Sequence, residues 1–185
     1  MKINPQIEGE INNCVQALRK GSFVIFPDET GWGIGCDAMN AELIKKIKED
    51  ENFLSHALLL DEPGRLNKFV KEIPDPLWDL VEFSTRPMNI ILKGVVNLPS
   101  LLLNADGESV FRIVKESFVQ IMVHKFGKPV YSAQLADQNK PPHNTVTILN
   151  TPAYMVNLRI GAKITPDALV IIRLSPGGRI EFIKK

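Results

Sequence analysis

Five short apolar runs constrain this chain more than any other feature. SFVIF (22–26), HALLL (56–60), MNIIL (88–92), SVFRIV (109–114) and PVYSA (129–133) have the length of buried strands rather than helices. Between them lie stretches with apolar residues at helical spacing. Ile7, Ile11, Cys14, Val15 and Leu18 form one such face, and Gly21 follows as a stop. Leu43, Ile44 and Ile47 form a second, behind Asn40 as a suitable cap. Leu66, Phe69 and Val70 form a third, capped by Asp61. PLWDLVEF (76–83) is a short helix with proline in its first turn. LPSLLLN (98–104) is a further short helix or turn, and ESFVQIMVHKF (116–126) is a helix ended by Gly127. The last third, TVTILN, AYMVNLRI and ALVIIRLSPGGRIEFIKK, is mostly strand and closes in a hairpin turned at Pro176-Gly177-Gly178. Strands alternate with helices and then dominate. That order predicts an α/β fold, with one domain over residues 1–185 built on a twisted mixed β-sheet flanked by helices.

Charge and composition narrow the function classes. The net charge is +1 over 185 residues, so total charge gives no case for nucleic acid, a membrane surface or an acidic partner. Cys14 and Cys36 fit neither a metal spacing nor a disulfide framework, which favours a reducing compartment. The N-terminal MKINPQIEGE lacks the apolar core of a signal peptide, and no apolar run approaches the roughly 20 residues that span a bilayer. The expected location is cytoplasmic, without a membrane partner. His56, His124 and His143 are scattered, and no metal site is expected from them.

The segment FPDETGWGIGCDAMNAELIKKIKEDEN (26–52) carries the chemical question. It reads as a strand end, a glycine-rich loop and a helix, the usual layout of a phosphate site. Gly31, Gly33 and Gly35 are spaced G-x-G-x-G, which matches neither the dinucleotide fingerprint nor the P-loop; a plain strand-to-helix turn is the competing reading. Asp28 and Glu29 read as a solvated turn. Trp32 either stacks on a base or plugs the core. Ser132 lacks the G-x-S-x-G setting of a hydrolase nucleophile. Arg112 lies inside an apolar strand, on one face with Val110 and Val114, where it must be paired or face a ligand. Arg86, before Pro87, reads as exposed.

The order of these motifs resembles the YrdC-like family, the threonylcarbamoyl-adenylate synthases of tRNA modification. The resemblance rests on PDETGWGIGCDAMNA, RPMNIIL, FRIV and KPVYSA and runs from about Ile11 to about Ile183. It implies a single-domain sheet with a large concave face. It also implies condensation of L-threonine, bicarbonate and ATP, with Mg2+, into threonylcarbamoyl-AMP and pyrophosphate, and possible double-stranded RNA or tRNA as a partner.

Residue by residue, the resemblance places Pro27, Glu29, Thr30, Trp32, Gly33 and Gly35 on the family loop, with Asp28 where the family has threonine. Thr30, Trp32, Arg112 and Ser132 become the candidate nucleotide- and substrate-binding residues. The family's Lys-x-Arg positions fall on Asp50 and Asn52, and its P-L-T threonine on Asn89. Gln134, Leu135 and Ala136 replace a Ser-Ala-Asn motif, and Pro166, Asp167, Ala168 and Leu169 replace Pro-Ser-[ST]-[IV]. The change at the cation positions is three charge units. At about 5 Å and an effective dielectric near 20, each unit is worth roughly 3 kcal/mol against one phosphate charge before screening. The expectation is a diverged member with weakened or lost catalysis. Its competitors are an active synthase relying on Lys48 and Arg112, and a non-catalytic RNA- or ligand-binding protein. A basic stripe of Lys45, Lys46, Lys48, Lys125 and Lys128 would favour RNA; separate solvated helix faces are the simpler reading.

Overall fold

The computed structural model describes residues 4–136, 147–157 and 169–184. Among them, α1 (Pro5–Arg19) leads into β1 (Phe23–Asp28) and β2 (Gly31–Asp37), followed by α2 (Ala41–Lys48) and β3 (Phe53–Leu60). A 3-10 segment (Pro63–Lys68), α3 (Pro76–Phe83), β4 (Met88–Lys93), a second 3-10 turn (Ser100–Leu102) and β5 (Glu108–Ile113) come next. Then come α4 (Ser117–Phe126), β6 (Val130–Leu135), β7 (Thr147–Ile148), β8 (Thr151–Met155), β9 (Val170–Leu174) and β10 (Ile180–Lys184). The loop after Ala136, His143 and Pro166–Ala168 lie outside the described residues.

The strands form one mixed sheet in the order β10-β9-β4-β5-β3-β6-β2-β1-β8-β7. Pairs β3/β5, β4/β9 and β1/β8 are parallel; β1/β2, β2/β6, β3/β6, β4/β5 and β9/β10 are antiparallel. Period-two alternation sends successive side chains to opposite faces. Ile25, Ile34, Leu58, Ile90, Phe111 and Ile172 pack on one face with Leu43, Ile44 and Ile47 of α2 and Leu77 and Val81 of α3. Val24, Phe26, Leu59 and Val130 pack on the other with Ile11, Val15 and Leu18 of α1 and Phe118, Val119 and Met122 of α4.

The helix ends follow local chemistry. Asn40 accepts from the backbone N–H of Leu43 at 3.1 Å, as its position before α2 predicts. Gly127 ends α4 in a left-handed conformation (φ 82°). Two expectations need correction. The stretch after Asp61 is a 3-10 segment, and Asp61 is not its cap. Its carboxylate instead meets Arg65 Nε at 2.6 Å and His124 Nδ1 at 2.8 Å, tying that segment to α4.

The larger correction concerns the glycine stretch. Residues 31–37 are not a loop but strand β2, joined to β1 by a tight hairpin at Glu29-Thr30. Gly33 and Gly35 serve contact rather than flexibility. A Cβ on Gly33 would lie 2.9 Å from the carbonyl oxygen of Ala133. One on Gly35 would lie 2.8 Å from Phe26 Cε1 and 2.9 Å from Val130 Cγ1. Only a residue without Cβ lets the neighbouring groups approach so closely. The readable sign was Trp32, Ile34 and Cys36 at alternate positions, all of which are buried on the α2 face.

Candidate functional site

The hairpin end carries Asp28 and Thr30 into a buried polar cluster. Thr30 donates to Asp28 Oδ1 twice, from its backbone N–H at 2.6 Å and its hydroxyl at 2.5 Å. Arg112 of β5 donates from Nη1 to Asp28 Oδ2 at 2.9 Å and to Thr30 Oγ1 at 3.0 Å. Its Nε donates to Asn89 Oδ1 at 2.7 Å. Asn89 sits in β4 beside Arg112, because Ile90 pairs with Phe111 in register. Gln134 of β6 closes the cluster by donating to the Thr30 carbonyl at 3.2 Å. Arg112 is 2% exposed and Thr30 fully buried.

This ion pair also reports the shape of the sheet. β3, β6 and β2 lie between β5 and β1. Four strand spacings of about 4.8 Å would put the two backbones roughly 19 Å apart in a flat sheet. One arginine side chain cannot bridge that distance. The sheet must therefore curl strongly, with Asp28, Arg112 and Asn89 meeting inside its concave face.

The neighbouring carboxylate behaves differently. Glu29 points to the opposite side, into a cavity of about 90 Å³ lined also by Ser84, Met88, Ile90, Ile113 and Lys115. Both its carboxylate oxygens are buried without a hydrogen-bond partner among the described residues. Burial, and then the charge of Asp28, raise its pKa above the ordinary value. Lys115 lines the same cavity, yet its Nζ donates to the carbonyls of Val81, at 2.8 Å, and Ser84. The expected solvated Asp28-Glu29 turn is thus overturned: the hairpin is tucked against the sheet, so one acid is paired and the other stranded.

The remaining candidates separate. Ser132 is buried on β6, next in register to Gly35 and Ala57, and adjoins the cluster through Gly33. Trp32 is 8% exposed and packs in the α2-side core, so it plugs the core and presents no stacking face to a base. Asp50 and Asn52 lie in the α2–β3 turn. Asn52 donates to Asp50 Oδ1 from its backbone at 2.9 Å and its side chain at 2.7 Å. No hydrogen bond among the described residues joins this turn to Arg112. Lys48, the other candidate cation, donates from Nζ to the Leu101 carbonyl at 2.5 Å, away from the cluster. Arg86 is exposed, as its sequence setting predicts. Asn89 and Gln134 are cluster members that residue-level reading passed over; only the alignment of motifs drew attention to them.

The five lysines do not form a stripe. α2 and α4 pack on opposite faces of the sheet, so Lys45, Lys46 and Lys48 lie apart from Lys125 and Lys128. Lys45 pairs with Glu49, Lys46 with Glu42, Lys125 with Glu8 and Lys128 with Asp37. Among the described residues no group of three or more His, Cys, Asp or Glu could hold a metal ion. His56 meets Tyr131 and His124 meets Asp61. No helix among the described residues is long and apolar enough to cross a membrane.

Known proteins match this chain along most of its length. The family model Sua5/YciO/YrdC, described as "Telomere recombination", matches residues 16–173. The threonylcarbamoyl-AMP synthase of Pseudoalteromonas translucida is 26% identical over 140 residues, 71% of this chain and 75% of that protein. The uncharacterized protein YciO of Escherichia coli is 26% identical over 138 residues, 71% of this chain and 66% of its own. The crystal structure of E. coli YciO superposes with a TM-score of 0.72 at 20% identity, covering 98% of this chain and 91% of that one. The Sua5 of P. abyssi, crystallised with L-threonine, gives a TM-score of 0.71 at 16% identity over 94% of this chain and 52% of Sua5. The chain belongs to the Sua5/YciO/YrdC family, and its curled mixed sheet is the fold of these structures.

Proposed function

We propose that this chain is a family member whose adenylate-forming pocket no longer accepts ATP, and that it does not make threonylcarbamoyl-AMP. The observation that carries this reading is the use of Arg112. Among the described residues, its Nε donates to Asn89 and its Nη1 to Asp28 and Thr30, so the guanidinium is engaged by protein groups. Asp28, standing where the family resemblance has threonine, supplies the neutralising charge. The two positions aligned with Lys-x-Arg hold Asp50 and Asn52, which bond to each other. A triphosphate would meet one acid and one neutral amide where the resemblance has two cations. The residues present therefore do not fit ATP with Mg2+, and no step of the family reaction is assigned to them. Without ATP, L-threonine and bicarbonate have nothing to drive their condensation.

Double-stranded RNA or tRNA remains the competing reading from the resemblance. The lysines that would have favoured it are divided between two faces and paired with acids. A gel shift at low salt that weakens steeply with added salt would revive it.

The test of the proposal is pyrophosphate release from ATP, with and without L-threonine and bicarbonate. We expect no threonine-dependent release. Release that requires both would overturn the reading and return Arg112 and Lys48 to the role of working cations.

A further inference from the structure

A second cavity lies apart from the Arg112 cluster. β3 and β5 pair only over Leu58–Leu60 and Phe111–Ile113. Toward their N-terminal ends the two parallel strands part, and a cleft of about 230 Å³ lies between them. Its walls are apolar: Leu58, Ile91, Leu102 and Val110. Its polar lining comprises Lys48 from the end of α2, His56 from β3 and Tyr131 from β6, together with Asn104, Glu108 and Ser109. It shares no lining residue with the Arg112 cluster.

The polar groups are organised. Tyr131 stacks on His56, with ring centroids 5.6 Å apart and planes 10° from parallel. The phenol oxygen lies 2.7 Å from His56 Nδ1. Burial, and then the charge of Lys48, lower the His56 pKa, so the ring is neutral near pH 7. If the phenol donates to Nδ1, no buried hydroxyl proton is left without an acceptor; Nε2 then carries the ring proton. Lys48 spends one of its three N–H donors on the Leu101 carbonyl. Glu108 also lines the cleft, but its carboxylate is held by Arg173 at 3.2 Å and Asn104 at 3.0 Å. Among the described residues Lys48 pairs with no carboxylate, while Glu108 shares Arg173 with Glu181, so the cleft presents a cation and a neutral ring at the rim of an apolar slot.

We propose that the β3–β5 cleft binds a small monocarboxylate, its anionic head on Lys48 and His56 and its hydrocarbon body between Leu58, Ile91, Leu102 and Val110. The chemistry follows from complementarity. A lone cation beside apolar walls favours one negative charge on an apolar body, and the volume lies below the usual range for drug-sized ligands, so the ligand is fragment-sized. A phosphate ester would need more cations than the single lysine supplies. Hexanoate is the probe, with 1-hexanol as the uncharged control of the same chain length.

The experiment follows His56 ring resonances by NMR, and heat by calorimetry, during titration of each compound. We expect hexanoate to shift the His56 signals saturably, with a Kd of about 1 mM or tighter as befits a fragment. Lys48→Met should weaken it at least tenfold, while Lys48→Arg, which keeps the charge, should retain it. Val110→Phe, which narrows the slot without replacing a charged residue, should abolish it, and 1-hexanol should bind at least tenfold more weakly than hexanoate. The proposal is overturned if hexanoate leaves His56 unmoved, or if 1-hexanol binds as well. An unchanged hexanoate response in Lys48→Met would also overturn it. None of these readouts involves ATP, so they stand or fall apart from the proposed loss of synthase activity.

Discussion

Asp28 and Glu29 are adjacent carboxylates at one hairpin, and the two sides of the sheet treat them oppositely. Asp28 enters the concave face, where Arg112 and Thr30 satisfy both its oxygens. Glu29 enters the opposite face, where its oxygens have no hydrogen-bond partner among the described residues and Lys115 is spent on two carbonyls. The difference separates two uses of a buried acid. One neutralises a cation and fixes a geometry; the other is a standing cost that is relieved only when it takes up a proton.

The comparison can be broken first at Arg112. Arg112→Met leaves Asp28 buried without its cation, and we expect a loss of about 3–5 kcal/mol in urea unfolding. Asp28→Asn combined with Arg112→Met should cost clearly less than the sum of the two single changes. Strict additivity would show that the two groups do not depend on each other.

Gly33→Ala tests the scaffold on the Asp28 side. The new Cβ would press on the Ala133 carbonyl and disturb the β2–β6 pairing that brings Gln134 to Thr30. A loss of about 1–3 kcal/mol is expected. A neutral outcome would mean that the close strand approach is not needed.

Glu29→Gln tests the other side and has the opposite sign. The folded pKa of Glu29 is raised above its ordinary value of 4.5. Its favourable contribution is therefore complete below that value and is lost as pH rises through the raised folded value. The glutamine variant should match the natural protein near pH 4 and exceed it by about 1 kcal/mol at neutral pH. Parallel stability–pH profiles would contradict the stranded-acid account.

Much of this was readable in the residues. Helix faces such as Leu43-Ile44-Ile47 and strands such as MNIIL follow from periodicity, because burial imposes it. An arginine inside VFRIV announced a partner, since an unpaired one is too costly to bury. The partner itself was not readable. Asp28 is distant in sequence and becomes a neighbour only because the sheet curls. The glycine stretch misled for a related reason. Glycine usually marks a turn, and its use here depends on how closely Ala133, Phe26 and Val130 approach, a tertiary fact. The cleft between β3 and β5 likewise arises from incomplete strand pairing, which no local pattern encodes.

The smallest expected effect on stability belongs to the Asp50→Lys, Asn52→Arg double variant, within about 0.5 kcal/mol because that turn is largely exposed. Its effect on ligand binding bears most directly on the central claim. ATP would be titrated into the natural protein and into this variant by calorimetry. The account predicts no measurable ATP binding by the natural protein and a gain of binding when the two cations are restored. Tight, Mg2+-dependent ATP binding by the natural protein would contradict it.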